Sequence, residues 1–283
     1  MKIRLKIIAA LLLSVVLILL HVRPTRETEM EHVLPVLLYH HFDENVTADT
    51  VVSPARFREQ MTALKEAGFT TVTLSQVMAY VNEGIPLPEK AVLITMDDGY
   101  TSNLTVAAPI LEELGMCATV FLIGIYEGET ISPHSGNRLY PARFAYEDAA
   151  QWVEKGVLEL QSHTYDMHQR AEDGFSGRDG ILPLPGENEE NYRAELLADA
   201  AAFSLKMKGH GYLGEVCAMA YPYGFYDWRA RCILEEAGIC MTFTVVERSN
   251  ILRIGDRDCL WDMGRFNVTD RCSGAALVRR LGG

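Results

Sequence analysis

The sequence predicts an α/β fold, an irregular (β/α) barrel of about seven parallel strands. Three observations carry that prediction. The strand-like segments are continuous apolar runs, as strands buried on both faces are, and not alternating ones. They alternate with helical patterns of about ten to fifteen residues, the order of βα units. Several of those helices stop at a glycine, the residue best suited to a left-handed helix end. Internal repeats and low-complexity segments are absent from the sequence, and the number of units favours a barrel over an open sheet.

Taken in order, VLPVLLYH reads as the first buried strand. SPARFREQMTALKEAG follows as a helix, with Ser53 as its cap, Pro54 in its first turn, Phe57, Met61 and Leu64 on one face, and Gly68 at its end. TTVTL is a strand and SQVMAYVNEG a short helix closed by Gly84. AVLITM leads to a helix through APILEELG, which Gly115 ends. CATVFLIG is a strand, YEDAAQWVEKG a helix, LELQSHT a strand and NYRAELLADAAAFSLKM a longer helix. VCAMAYP, DWRARCILEEAG and CMTFTV continue the alternation, and DMGRFNV with GAALVRRL completes it. The looser stretches 126–142 and 170–190 are long enough to be loops over a site.

Residues 1–23 stand apart. A basic start, MKIRLK, precedes the apolar run Ile7–Leu20, which is the layout of a secretory signal. That run is shorter than the roughly 17 to 25 residues of a spanning helix. Counting from Leu5 to Val22, with Lys6 snorkelling, brings it to marginal length. No small-residue cleavage site follows, so residues 1–23 are expected to be a signal-anchor, 24–32 a linker and 33–283 one domain. The expected location is the cell membrane, crossed once with the domain outside; secretion after cleavage is the alternative. The body carries no basic stripe, and a formal net charge of −12 excludes a nucleic-acid binder. A monomer is expected.

An extracytoplasmic compartment permits disulfides, and the chain has six cysteines. Cys117 and Cys217 lie in strand-like runs, where a free cysteine is an ordinary core residue; Cys232, Cys240, Cys259 and Cys272 could pair. None sits in a CxxC, which argues against cysteine-based zinc binding.

In parallel α/β barrels, ligands bind where the strands' C-terminal ends gather. The sequence places Tyr39, His40 and His41 at one such end and Asp97, Asp98 and Gly99 at another. SHTYDMH adds His163 and His168, and AYPYG adds Tyr221 to Gly224. Asp262 and Arg265 lie on DMGRFNV, at an end the sequence leaves open. Each cluster has an ordinary reading alone: DDG and YPYG are turn sequences, and a lone strand-end histidine is more often structural. His41 points away from His40 in a strand and is read as structural. His134 and His210 lie in polar stretches where exposure is the default, and Asp166 suits a brace as well as a ligand contact. Four clusters on one rim are a different matter. Two histidines and one carboxylate can hold a zinc-type ion with a position left open for water. The second carboxylate of the pair can then take a proton from that water, and the cation offsets the repulsion between the two.

With these residues in place, the stretch from Pro35 to Val268 resembles the polysaccharide deacetylases, the NodB-homology or carbohydrate esterase family four enzymes. TMDDG resembles the first family motif, which implies Asp97 as general base and Asp98 as metal ligand. SHTYDMH resembles the second, which implies His163 and His168 as ligands and Thr164 as a hydrogen-bonding brace. AYPYG resembles the third, where a backbone N–H near Tyr223 helps hold the oxyanion, with Tyr221 and Pro222 expected at the substrate. The chain departs from the commonest pattern in three ways. Its second histidine comes one residue later than in many members. The third motif lacks its arginine, for which Arg265 is the expected substitute. No histidine follows His210, so the usual late general acid is missing. Together with LLYHH, these departures resemble the poly-β-1,6-N-acetylglucosamine N-deacetylase branch, in which an early YH histidine, here His40, reaches the site.

The resemblance implies amide hydrolysis of an acetylated polysaccharide, whether poly-β-1,6-N-acetylglucosamine, peptidoglycan or a chitin-like glycan. It implies one divalent ion, zinc by default, at a site type that also accepts nickel, cobalt or iron. Two other readings compete. A non-haem iron oxygenase uses the same donor types, but on scaffolds the βα order disfavours. A degenerate cell-surface glycan-binding module would need no activity at all.

Overall fold

A computed structural model describes residues 31–282. The anchor expected at residues 5–22 lies outside the described residues, among which no helix is long and apolar enough to cross a membrane.

Strand β1 (Val36–Tyr39) begins after Pro35, which has no N–H for a ladder and interrupts the run expected from Val33. Helix α1 (Pro54–Glu66) starts as the sequence dictates: Ser53 Oγ accepts the Arg56 N–H, and Phe57, Met61 and Leu64 are buried. Of TTVTL only β2 (Thr70–Thr71) forms, because Thr73 is taken up as the cap of α2 (Leu74–Glu83) in a reciprocal pair with Gln76. Gly84 ends that helix in the left-handed conformation. Strand β3 (Ala91–Asp97) is buried along its whole length. A wide turn at Asn103–Ala107 then leads into α3 (Ala108–Leu114). The chain continues through β4 (Ala118–Leu122), α4 (Tyr146–Glu154), β5 (Leu158–Ser162) and α5 (Glu189–Gly209). It ends through β6 (Ala218–Ala220), α6 (Trp228–Glu236), β7 (Met241–Phe243), β8 (Phe266–Asn267) and α7 (Gly274–Arg280).

These strands pair in parallel in the order β7–β6–β5–β4–β3–β1–β8, with β2 also on β3. The seven-strand path curls into an incomplete barrel, and the segment before β8 reaches back across the gap. Met263 bridges Phe243 in parallel, and the Arg265 N–H donates to the Val246 carbonyl at 3.0 Å.

Alternation along each strand sorts the core into an inside and an outside. Val36, Leu93, Phe121, Ala220 and Phe243 pack together inside the barrel, and Val77, Tyr80 and Val81 of α2 pack with them. Leu37, Ile94, Met96, Val120 and Leu160 face the other way, packing with α1 and α3 residues such as Met61 and Leu111. On β3 this places Ala91, Leu93, Thr95 and Asp97 on one side, so the last of the set presents its carboxylate to the barrel's interior at the rim.

Candidate active site

The two adjacent aspartates separate because the chain turns between them. Asp97 ends β3 in extended backbone, whereas Asp98 has a φ of 73° and so turns its carboxylate onto a new heading. Gly99 follows, also left-handed, and a Cβ there would lie 2.6 Å from Leu122 Cδ2. Close packing and backbone conformation together therefore require the glycine of DDG.

Asp97 is 2% exposed and is gripped by Arg265, whose terminal nitrogens donate to its two oxygens at 2.7 and 2.8 Å. Arg265 is itself fully buried inside the barrel, its Nε donating to the Thr244 carbonyl and one terminal nitrogen also reaching Thr95 Oγ1. Burial alone would raise the Asp97 pKa, but the guanidinium and His163 outweigh it and hold the carboxyl below its ordinary value.

Asp98 meets the two histidines of SHTYDMH. Its Oδ1 lies 3.3 Å from His168 Nε2 and 3.6 Å from His163 Nε2. Burial opposes its charge, yet His168, His40 and Arg143 keep its pKa well below the usual range. Burial also pushes His163 down to about 4, so the ring is neutral at pH 7. Its Nδ1 lies 2.7 Å from the Ala220 carbonyl, which can only accept, so Nδ1 carries the hydrogen. The lone pair of Nε2 is thereby left facing the aspartates. Donor atoms of Asp98, His163 and His168 all lie within 4.8 Å of one another. Two imidazoles, that of His163 neutral, and a carboxylate converging in this way fit a divalent ion with an open position.

The loop joining the histidines is held from behind. Asp199 of α5 is buried and accepts the N–H groups of Tyr165 and Asp166 at 2.8 and 2.7 Å. Thr164 keeps its Oγ1 buried without a hydrogen-bond partner among the described residues. Its backbone does the bracing: Thr164 is left-handed, with its carbonyl accepting the Gly124 N–H at 3.0 Å. Asp166 pairs outward with His134 at 2.6 Å, a brace rather than a donor to the histidine cluster.

Other members of the rim fall as follows. His40 stands close enough to lower the pKa of both aspartates, and its Nδ1 is buried without a hydrogen-bond partner among the described residues. His41 turns away to Ser102 Oγ at 2.8 Å. Tyr223, at a φ of 57°, lays its ring against His168 with centroids 4.5 Å apart. Tyr221 and Pro222 are both buried. The Tyr221 hydroxyl lies 2.9 Å from Thr242 Oγ1 and from Asp262 Oδ1, and its ring stacks on Tyr226, so it shapes the turn that presents Tyr223. Asp262 is thus a partner of Tyr221.

Sequence reasoning overlooked Tyr100, Arg143 and Asp199. The Arg143 guanidinium lies 3.9 Å from Asp98 and stacks at 3.7 Å on the Tyr100 ring, which adds a fixed cation to the mouth of the site. No local signal marked it, because it follows a long loop that returns to pair with Tyr100. Asp199 did leave a signal: it falls on the buried stripe Tyr192, Leu196, Ala200, Phe203 of α5, where a charge needs partners.

A family profile described as polysaccharide deacetylase matches residues 84–242. Over 209 residues the chain is 26% identical to the poly-β-1,6-N-acetyl-D-glucosamine N-deacetylase of Escherichia coli (strain K12), covering 69% of this chain and 31% of that one. Two further curated relatives are covered over 66% and 62% of their length, so this chain matches two thirds or less of each. Among solved structures, a de-N-acetylase from Aggregatibacter actinomycetemcomitans superposes with a TM-score of 0.74 at 22% identity, over 88% of this chain and 99% of that one. IcaB from Ammonifex degensii gives 0.71 at 25%, over 89% and 98%. The barrel, the two aspartates and the two histidines thus occur in a chain that belongs to the polysaccharide deacetylase family.

Proposed function

We propose that this chain is a metal-dependent N-deacetylase of an extracellular N-acetylhexosamine polysaccharide, with poly-β-1,6-N-acetylglucosamine as its substrate. The observation that carries the reading is the division of labour within the DD pair. Asp98 turns to the two histidines, and Asp97 is held apart by a buried guanidinium. Asp98, His163 and His168 would hold one divalent ion, zinc by default. Such an ion, when bound, lowers the pKa of a coordinated water towards ~7 and polarises the acetamide carbonyl.

The chain's own residues do the rest. Asp97, ionised and fixed in orientation, accepts the proton of the attacking water. A backbone N–H at Tyr223 donates to the carbonyl oxygen as negative charge builds there. His40 gives a proton to the departing sugar amine, leaving acetate and a glucosamine unit. Buried Tyr221 and Arg265 position these groups without touching the sugar. The choice of the β-1,6 polymer is supported by the relative in E. coli and by the placement of His40 on β1's end. The enzyme acts outside the cell, tethered through residues 5–22.

Acetate release from β-1,6-linked, chitin-like and peptidoglycan-type acetylated oligomers, with and without chelator, tests the reading. Chelator-sensitive release, fastest on the β-1,6 oligomer, is the expected result. Release that survives chelation rejects the ion, and glycan binding without release reduces the chain to a binding module.

A further inference from the structure

We propose that Cys217 and Cys240 are a redox-active thiol pair that closes to an intramolecular disulfide, stapling β6 to β7 at the barrel end opposite the metal-type cluster. Each cysteine immediately precedes its strand. Ala218 and Met241 are register partners, so by alternation the residues before them sit side by side and point to one face. The Cys240 N–H donates to the Cys217 carbonyl at 2.8 Å, which fixes the two backbones next to each other. The Cys240 sulfur lies 3.4 Å from Met78 Sδ and is near enough to the Cys217 thiol to shift its acidity. Both residues lie just outside the regular ladder, where the backbone can make the small approach a disulfide needs.

The two sulfurs differ in access. Cys217 is 4% exposed, whereas Cys240 is partly exposed and lines a cavity of about 440 Å³ with Asn82, Arg257 and Trp261. Access makes Cys240 the sulfur that meets an oxidant first, and the interaction between the thiols, which raises the Cys217 pKa and lowers that of Cys240, favours the same order. With hydrogen peroxide as oxidant, Cys240 sulfur attacks one peroxide oxygen and the O–O bond breaks, giving a sulfenic acid and, after protonation, water. Cys217 sulfur then attacks the sulfenic sulfur; the S–S bond forms, and hydroxide leaves with the Cys217 proton as a second water. Two electrons from the thiols reduce one peroxide. The staple anchors the start of the strand whose far end supplies the Ala220 carbonyl to His163.

The test uses the full chain, reduced and then exposed to dilute hydrogen peroxide. After denaturation, free thiols are counted with a maleimide, and peptides are mapped without reduction. The expected result is loss of two of the six thiols, with one cross-linked peptide joining Cys217 to Cys240 and full recovery on adding dithiothreitol. The oxidised chain should also unfold at a higher temperature than the reduced one. Cys217→Ser should give no cross-link and leave Cys240 as a sulfenic acid that dimedone traps. Six labelled thiols in the oxidised wild type, or a cross-link through other cysteines, overturns the proposal whether or not the variant folds.

Discussion

Arg265 holds Asp97 in a two-pronged ion pair that is buried at both ends, 168 residues apart in the chain. The guanidinium makes Asp97 more acidic, so it contributes orientation and an assured charge and not basicity. Arg265→Met should leave a buried carboxylate without its partner, costing about 3–5 kcal/mol of stability and nearly all turnover. Arg265→Lys keeps the charge but loses the fork. It should fold better than the Met variant and still turn over at least about tenfold more slowly. Urea unfolding with acetate-release kinetics checks both, and a Met variant of wild-type stability would refute the pairing's importance.

Variants within the DD pair should divide cleanly. Asp98→Ala and His163→Ala remove donors, so elemental analysis should find the divalent ion gone and activity gone with it. Asp97→Asn removes a base but no donor, and should keep the ion while losing turnover. Full metal occupancy in Asp98→Ala would remove that residue from the site.

How legible the site was depended on where each residue sits in the chain. Asp97 ends a strand, Asp98, His163 and His40 come directly after one, and His168 lies on the loop after β5; the parallel barrel gathers strand ends, so a one-dimensional reading could find them. Arg265 was reachable only through a gap in a motif, because its side chain rises through the barrel from the segment before β8. The partners of Tyr221 were not legible, because a strand-end tyrosine can face a ligand or the core, and Thr242 and Asp262, which its hydroxyl meets, come from distant parts of the chain. Arg143 depends on the return path of the 126–142 loop, which no local pattern encodes.

Asp199 offers a test of the support behind the histidine loop. Burial pushes its pKa up to about 6 despite two backbone N–H groups donating to it. Asp199→Ala would leave those N–H groups without an acceptor, at roughly 1–3 kcal/mol each. The loop that carries His163 and His168 should loosen, so the variant should release metal to a competing chelator at least about tenfold more readily. An unchanged chelator titration would show that the loop holds its shape alone.

A second ionic cluster, remote in sequence from the aspartates, predicts a pH effect on stability. His210 Nδ1 lies 2.7 Å from Glu147 Oε1, and its Nε2 lies 3.4 Å from buried Glu127, which also pairs with Lys206. The hydrogen bond to Glu147, opposed by burial and aided by Glu127, holds the His210 pKa above its ordinary value. A raised folded pKa means that this stabilisation is complete below the unfolded value of about 6.5 and is lost as pH rises through the folded one. The wild-type unfolding midpoint should therefore fall relative to that of His210→Gln as pH is raised from about 6 to 9. Parallel curves for the two proteins would remove His210 from the effect.

The final prediction concerns the proton for the leaving amine. The aspartates of the cluster are held ionised, and burial raises the pKa of nearby Tyr100 and Tyr223, so neither group is a ready donor near neutral pH. Histidine is the side chain suited to that range. His40 lies beside both aspartates, its backbone carbonyl is fixed by Asn103 Nδ2 at 2.8 Å, and its Nδ1 has no competing partner among the described residues. A histidine serving only the barrel wall would spend that nitrogen on a hydrogen bond, as His41 spends its own on Ser102. His40→Ala should fold and retain the ion but lose about 100-fold or more in kcat, and the alkaline limb of its pH–rate profile should shift. Substrates with a more acidic leaving amine need less protonation, so the loss should shrink on an N-acetylated anilide. A variant with near-normal kcat on the glycan would mean that the proton comes from water, and His40 would revert to a residue of the barrel wall.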